Sequence, residues 1–208
     1  MKLYDSRKAP NPRRVRWVMA EKGIDDLEIV DVDIFKGEHK TAEYRGRAGM
    51  PHVPALELDD GTTITESLAI SRYLEALHPE PNLFGRDAKE TALIEMWTRR
   101  CEMYVATPLM MAVRYGHPAM SGLEGAMSEE EIAKQRSGAE RMLKHVDRAL
   151  EHRAFIAADR PTIADIVAVT GMDFARLIKW RPPAELENVG RWYEAMRARP
   201  AAQAGMTS

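Results

Sequence analysis

Two short stretches, Val53-Pro54 and Glu66-Ser67, have residue types suited to holding an extended peptide. Proline cannot donate to a β ladder, so a Val-Pro pair entering a strand belongs at a strand start or a sheet edge, often with a cis bond. The main-chain N–H and C=O of Val53 are then left to pair with a peptide laid alongside, as in strand addition. Glu66 and Ser67 fall where a strand-like run, 62–65, gives way to a helical one. A helix N-terminus draws a carboxylate through its unpaired N–H groups and its dipole. There the Ser67 hydroxyl adds a donor, and Glu66 can accept from an amino group. The plainer role for these two residues is to cap their own helix. It is the Val-Pro element upstream that turns the pair toward a ligand.

Positioning these residues requires a sheet with helices, and the first 78 residues have that rhythm: short strand-like runs alternate with helix-like stretches, as in a mixed sheet covered by helices. Leu3 and Tyr4 begin a strand. Asn11-Pro12 reads as an N-cap followed by proline at the first helical position, and Val15, Val18, Met19 and Lys22 run to a stop at Gly23. Residues 27–32 form a second strand and 39–48 a polar, weakly helical crossing. Residues 53–58 turn through Asp60-Gly61 into 62–65, a hairpin. Ala69, Ile70, Tyr73, Leu74 and Leu77 then keep helical spacing. The order is βαβαββα. Pro79 and Pro81 interrupt both periods, so the expected organisation is an α/β domain over 1–78, a linker over 79–87 and an all-α domain over 88–208. Helices are expected near 88–115, 128–151, 162–178 and 185–198, with Ser128/Glu131 and Thr162/Asp165 spaced as capping pairs. Gly116-His117-Pro118 and Ser121-Gly122 mark the longest loop.

Composition narrows the function. The 208 residues are 45% hydrophobic, enough for a packed core, and 30 Lys plus Arg nearly cancel 32 Asp plus Glu without a block of one sign. A broad nucleic-acid or membrane-surface footprint is thereby disfavoured, and a small-molecule partner fits better. No apolar run approaches the roughly 18 residues of a membrane span, and the start enters strand-like sequence instead of a signal peptide. The expectation is a soluble cytoplasmic protein. With Cys101 as its single cysteine, the chain has no intramolecular disulfide and no zinc site built on several thiolates.

The segment from Gly49 to Gly61, Gly-Met-Pro-His-Val-Pro-Ala-Leu-Glu-Leu-Asp-Asp-Gly, followed by Thr-Glu-Ser-Leu-Ala-Ile-Ser-Arg-Tyr-Leu at 65–74, resembles the glutathione-binding half of the soluble glutathione S-transferase family. Asp159-Arg160-Pro161-Thr162-Ile163-Ala164-Asp165-Ile166 resembles the family's buried capping element, which serves folding. The resemblance covers nearly the whole chain and is strongest at 50–77 and 159–167. It implies a thioredoxin-like N-terminal domain that binds glutathione as co-substrate without a metal, a helical domain that binds an electrophile, a homodimer, and a part in detoxification. It also implies the ligand residues: His52, Val53 and Pro54 along the tripeptide, Glu66 and Ser67 at its γ-glutamyl end, and Lys40, with His39 beside it, at the glycyl carboxylate.

Family members generally stabilise the glutathione thiolate with a Tyr, Ser or Cys just after the first strand. Within Ala9-Pro10-Asn11-Pro12-Arg13-Arg14-Val15 that position is Ala9, which has no chemistry to offer. Ser6 and Tyr4 are substitutes at other offsets. A thiol of pKa about 8.5 needs a donor or a positive potential to ionise at neutral pH. The first helix's N-terminus could supply about 0.3–1 kcal/mol, and up to about 2 if partly buried. Asn11 is the candidate catalytic side chain, through its amide; the alternative is that it caps its own helix. The chain looks most like an atypical bacterial and fungal branch that lacks the usual hydroxyl or thiol and recruits groups from the second domain. Tyr104, Arg114 and Tyr115 are the polar candidates there, with Met111 as a wall of the electrophile pocket; the same residues also suit helix packing. Met110 and Arg114 stand where that branch would place a serine and a histidine. Cys101 reads as a buried packing residue, and Arg13-Arg14-Val15-Arg16 as a solvated helix face or dimer edge. Three functions fit Ala9: conjugation of glutathione to a small hydrophobic electrophile, glutathione-dependent disulfide reduction, and non-catalytic glutathione binding.

Overall fold

The computed structural model describes residues 1–120 and 125–203, so the Ser121-Gly122 part of the expected loop lies outside the described residues. The described chain divides into two compact units, residues 1–81 together with 200–203, and residues 82–199.

In the first unit four strands, β1 (Lys2–Asp5), β2 (Glu28–Asp31), β3 (Ala55–Glu57) and β4 (Thr63–Thr65), form one sheet in the order β2-β1-β3-β4. β1 and β2 are parallel with Leu3 opposite Ile29, which requires a crossover, supplied by α1 (Pro10–Lys22). β3 lies antiparallel to both β1 and β4, with Leu56 opposite Leu3 and Ile64. Strand alternation sorts the two faces. Leu3 and Leu56 pack with Val15 and Met19 of α1 and with Ile70 and Leu74 of α3 (Ser67–Leu77). Tyr4 and Ala55 pack on the other face with Val32 and with Tyr44 and Ala48 of α2 (Ala42–Ala48). This is the thioredoxin-like βαβαββα arrangement. Gly23 closes α1 at φ 64°, a left-handed position that glycine takes without a Cβ penalty.

α1 starts two residues earlier than its sequence signals suggest. Ala9 is the N-cap, extended at φ −91° and ψ 139°, and Pro10 is the first helical residue. Its fixed φ suits that place as well as Pro12's would. Asn11 is therefore inside the first turn and is not the cap. A second difference concerns the far end of the sequence. α9 (Pro200–Gln203), expected within the helical domain, belongs to the first unit, where Ala201 and Ala202 are buried and Arg13 donates to the Ala202 carbonyl at 3.2 Å.

The second unit is helical: α4 (Ala88–Cys101), α5 (Thr107–Gly116), α6 (Glu129–Ala149), α7 (Ile163–Ala175) and α8 (Glu187–Arg197). The expected single helix over 88–115 is interrupted by a π-helical turn, Glu102–Ala106. Pro108 has no N–H to give the i−4 carbonyl and its ring crowds that carbonyl; a wider turn just before it relieves both conflicts. The same turn meets Gly171 of α7, where a Cβ would lie 2.5 Å from the Ala106 Cα. α7 is buried along almost its whole length. Its Asp165, fully buried, accepts from the Ile156, Thr162 and Trp192 N–H groups at 2.9 Å each and from the Thr162 hydroxyl at 2.9 Å. No described helix is long and apolar enough to cross a membrane.

Candidate functional site

The sheet register brings Val53-Pro54 and Glu66-Ser67 to one end of the sheet. Ala55 lies opposite both Tyr4 and Thr65, so Pro54, which precedes Ala55, and Glu66, which follows Thr65, flank the same end of the antiparallel β3–β4 pair. Val53-Pro54 is cis. Val53 is half-buried, and among the described residues its main-chain N–H and C=O take no hydrogen-bond partner. The loop before it is held from below: the buried Tyr44 donates its hydroxyl to the His52 carbonyl at 2.6 Å and meets Tyr4 edge to face. Burial pushes the Tyr44 phenol up to about 12, so it stays a donor at every physiological pH. Sequence reasoning missed Tyr44; its one signal was a lone aromatic in a polar crossing segment.

Glu66 is the N-cap of α3 and adopts φ 67°, ψ 119° without a side-chain capping bond. A non-glycine residue held there costs roughly 1–3 kcal/mol. Ser67, the first helical residue, is 5% exposed, and its Oγ accepts from Arg14 Nη1 at 3.4 Å. Its own C=O accepts from the Ser71 hydroxyl at 2.7 Å. Neither side chain thus serves the plain capping role.

After β1, α1 presents its N-terminus with no acidic residue in the first turn and no side-chain cap. Asn11 is half-buried; its amide makes no hydrogen bond among the described residues, and its Oδ1 is shielded from solvent. Capping is therefore not what Asn11 does. Tyr4 is committed elsewhere, since its hydroxyl donates to Glu57 at 2.7 Å and accepts from Arg47 at 3.0 Å on the α2 face. The loop between β1 and α1 is pinned by its neighbours. The Ala9 N–H donates to the Ser6 carbonyl at 2.9 Å, and Arg16 reaches both the Arg7 carbonyl at 3.0 Å and the buried carboxylate of Asp5. Burial outweighs the pull of Arg16 and raises the Asp5 carboxyl above its ordinary range.

The arginine run is consequently not a solvated face. Arg14 is 2% exposed, Arg16 is paired with Asp5, and Arg13 lies over the Trp17 ring as well as bonding to Ala202. Lys40 stands exposed on the short 3₁₀ turn Glu38–Lys40, with His39 half-buried beside it, and His52 is exposed. In the second unit Tyr104 is 52% exposed on the π turn, Arg114 is exposed, and Met111 and Tyr115 are half-buried on α5. Cys101 is fully buried, and burial drives its thiol far above the ordinary range, as a packing residue requires. Among the described residues no group of His, Cys, Asp or Glu is placed to hold a metal ion.

Family models for the glutathione S-transferase N-terminal domain and C-terminal domain match residues 9–77 and 102–200. Glutathione S-transferase 2 of Saccharomyces cerevisiae is 36% identical over 205 residues, 96% of this chain and 87% of that protein. The crystal structure of Gtt2 from Saccharomyces cerevisiae superposes with a TM-score of 0.91 at 33% identity, covering 99% of this chain and all of that one. A glutathione S-transferase domain-containing protein of Marinobacter aquaeolei gives 0.91 at 35% identity, covering both chains completely. With two family models spanning most of the sequence and a relative of this identity along nearly its full length, the chain belongs to the glutathione S-transferase family of enzymes.

Proposed function

We propose that this transferase ionises the thiol of glutathione on its first unit and conjugates it to a small hydrophobic electrophile. The observation that carries the reading is the junction at Glu66-Ser67: a strained residue and a buried hydroxyl at the start of α3, neither spent as a cap, together with a Val53 main chain that has no partner among the described residues. In this reading Val53 pairs with the cysteinyl residue of an extended glutathione, with His52 and Pro54 flanking it. Ser67 and the first N–H groups of α3 take the γ-glutamyl carboxylate, Glu66 the amino group, and Lys40 the glycyl carboxylate. The thiol loses its proton to solvent, and the thiolate is stabilised by the N-terminus of α1 and the amide of Asn11 in place of the usual hydroxyl. The sulfur then bonds to the electrophilic carbon, whose leaving group departs with the electron pair. Tyr104, Met111, Arg114 and Tyr115 are assigned to the electrophile. The same reading takes the protein to be a cytoplasmic homodimer serving detoxification.

The experiment is turnover of a chromogenic aryl halide and of hydroxyethyl disulfide with glutathione, alongside the equilibrium affinity for glutathione. Conjugation predicts aryl-halide turnover. Turnover of the disulfide alone replaces it with glutathione-dependent reduction, a reading favoured by the burial of Cys101, which leaves no protein thiol to compete. Ser67→Ala is expected to weaken glutathione binding about tenfold, the worth of a hydrogen bond to a charged group. Unchanged affinity in that variant removes Ser67 from the site.

A further inference from the structure

Arg14 is among the largest fully buried side chains of the protein and one of few charged ones. It belongs to α1, one turn beyond Asn11, and points its guanidinium across to the first residue of α3, where Nη1 donates to Ser67 Oγ at 3.4 Å. Arginine keeps its proton at every accessible pH, so a full positive charge is held inside the first unit. Holding it there carries a desolvation cost that a packed apolar residue would not. Two consequences follow at Ser67. Its oxygen is occupied by a donor, so its own hydroxyl hydrogen is directed to another acceptor. The free N–H groups of α3 and the guanidinium also add potentials of the same sign at one point.

We infer that Arg14 is a positioning and selectivity residue: acting through Ser67, it orients the hydroxyl and supplies the charge that makes the start of α3 prefer a carboxylate. This rests on the reading of Ser67 given above.

The test compares two ligands, glutathione and 4-aminobutyryl-cysteinyl-glycine, which is glutathione without the γ-glutamyl α-carboxylate. The wild-type protein should bind glutathione at least tenfold more tightly than the truncated tripeptide. In Arg14→Met that ratio should collapse to about twofold, through loss of glutathione affinity with little change for the analogue; Arg14→Lys should keep most of it. In steady state the Met variant should raise KM for glutathione more than it lowers kcat. Equal weakening toward both ligands, or an unaltered ratio, overturns the inference and leaves Arg14 as packing. If the wild-type protein does not distinguish the ligands, the Ser67 reading itself fails. Should the Met variant not fold, the Lys variant decides: a ratio below threefold overturns the proposal.

Discussion

Among the described residues, Asn11 carries an uncommitted polar side chain at the start of α1, and its effect should appear in a titration. On the proposed reading, replacing it with alanine removes one donor from the sulfur but leaves the helix N-terminus. The pKa of enzyme-bound glutathione should then rise by about half to one unit, the equivalent of a hydrogen bond worth about 1 kcal/mol. Ultraviolet absorbance of the thiolate across pH 5–9 follows it directly, and an unmoved midpoint would assign the activation to the main chain of α1. Residue by residue, legibility in the sequence followed how local each signal was. The strand start at Val53-Pro54 and the strand-to-helix junction at Glu66-Ser67 could be read because their signals are visible within a few positions. Arg14 and Tyr44 could not, because their partners, Ser67 and the His52 carbonyl, are supplied by folding. An arginine among arginines looks solvated until the facing helix is known.

The strands and helices came through the sequence best where stop signals were chemical: Gly23 ending α1, Asp60-Gly61 turning the hairpin, Ser128 with Glu131 opening α6. The π turn was hidden, since hydrophobic periodicity runs on through it and only Pro108 hints at a break. One element-level contact makes a pH prediction. Arg160 donates to both carboxylate oxygens of Glu90 at 2.6 and 2.9 Å and to the Asn82 side chain and carbonyl, tying the segment that leads into α4 to the loop before α7. Hydrogen bonds from Arg160 and from the Arg86 N–H depress the Glu90 carboxyl from 4.5 to about 2. A depressed carboxylate contributes stability that is complete above its unfolded value and disappears as pH falls through its folded one. The second unit should therefore lose about 1–2 kcal/mol between pH 5 and pH 2 on this account, a figure reduced for partial exposure. Glu90→Gln should cost a similar amount at pH 7 and flatten that part of the profile in urea unfolding; a profile of unchanged slope would sink the assignment.

For the molecule as a whole, the division into units does not follow chain order. The prolines at 79 and 81 mark the crossing from sheet to helices, but nothing in the sequence announces that Pro200–Gln203 joins the first unit, because a short alanine-containing helix carries no address. A chain ending at Arg199 loses the burial of Ala201 and Ala202 and the acceptor of Arg13. It should be less stable by about 1–3 kcal/mol. Amide exchange should locate the loss: protection should fall along α1 while α7 is unaffected, and a uniform decrease would contradict the packing described. The Arg13 contact also sets an order on biosynthesis. Sequential synthesis ordinarily lets the domain encoded first finish first. Here the first unit, although its residues 1–81 are translated before the helical unit, waits for residues 200–203 before α1 has all its neighbours, so its final consolidation follows the emergence of the helical unit.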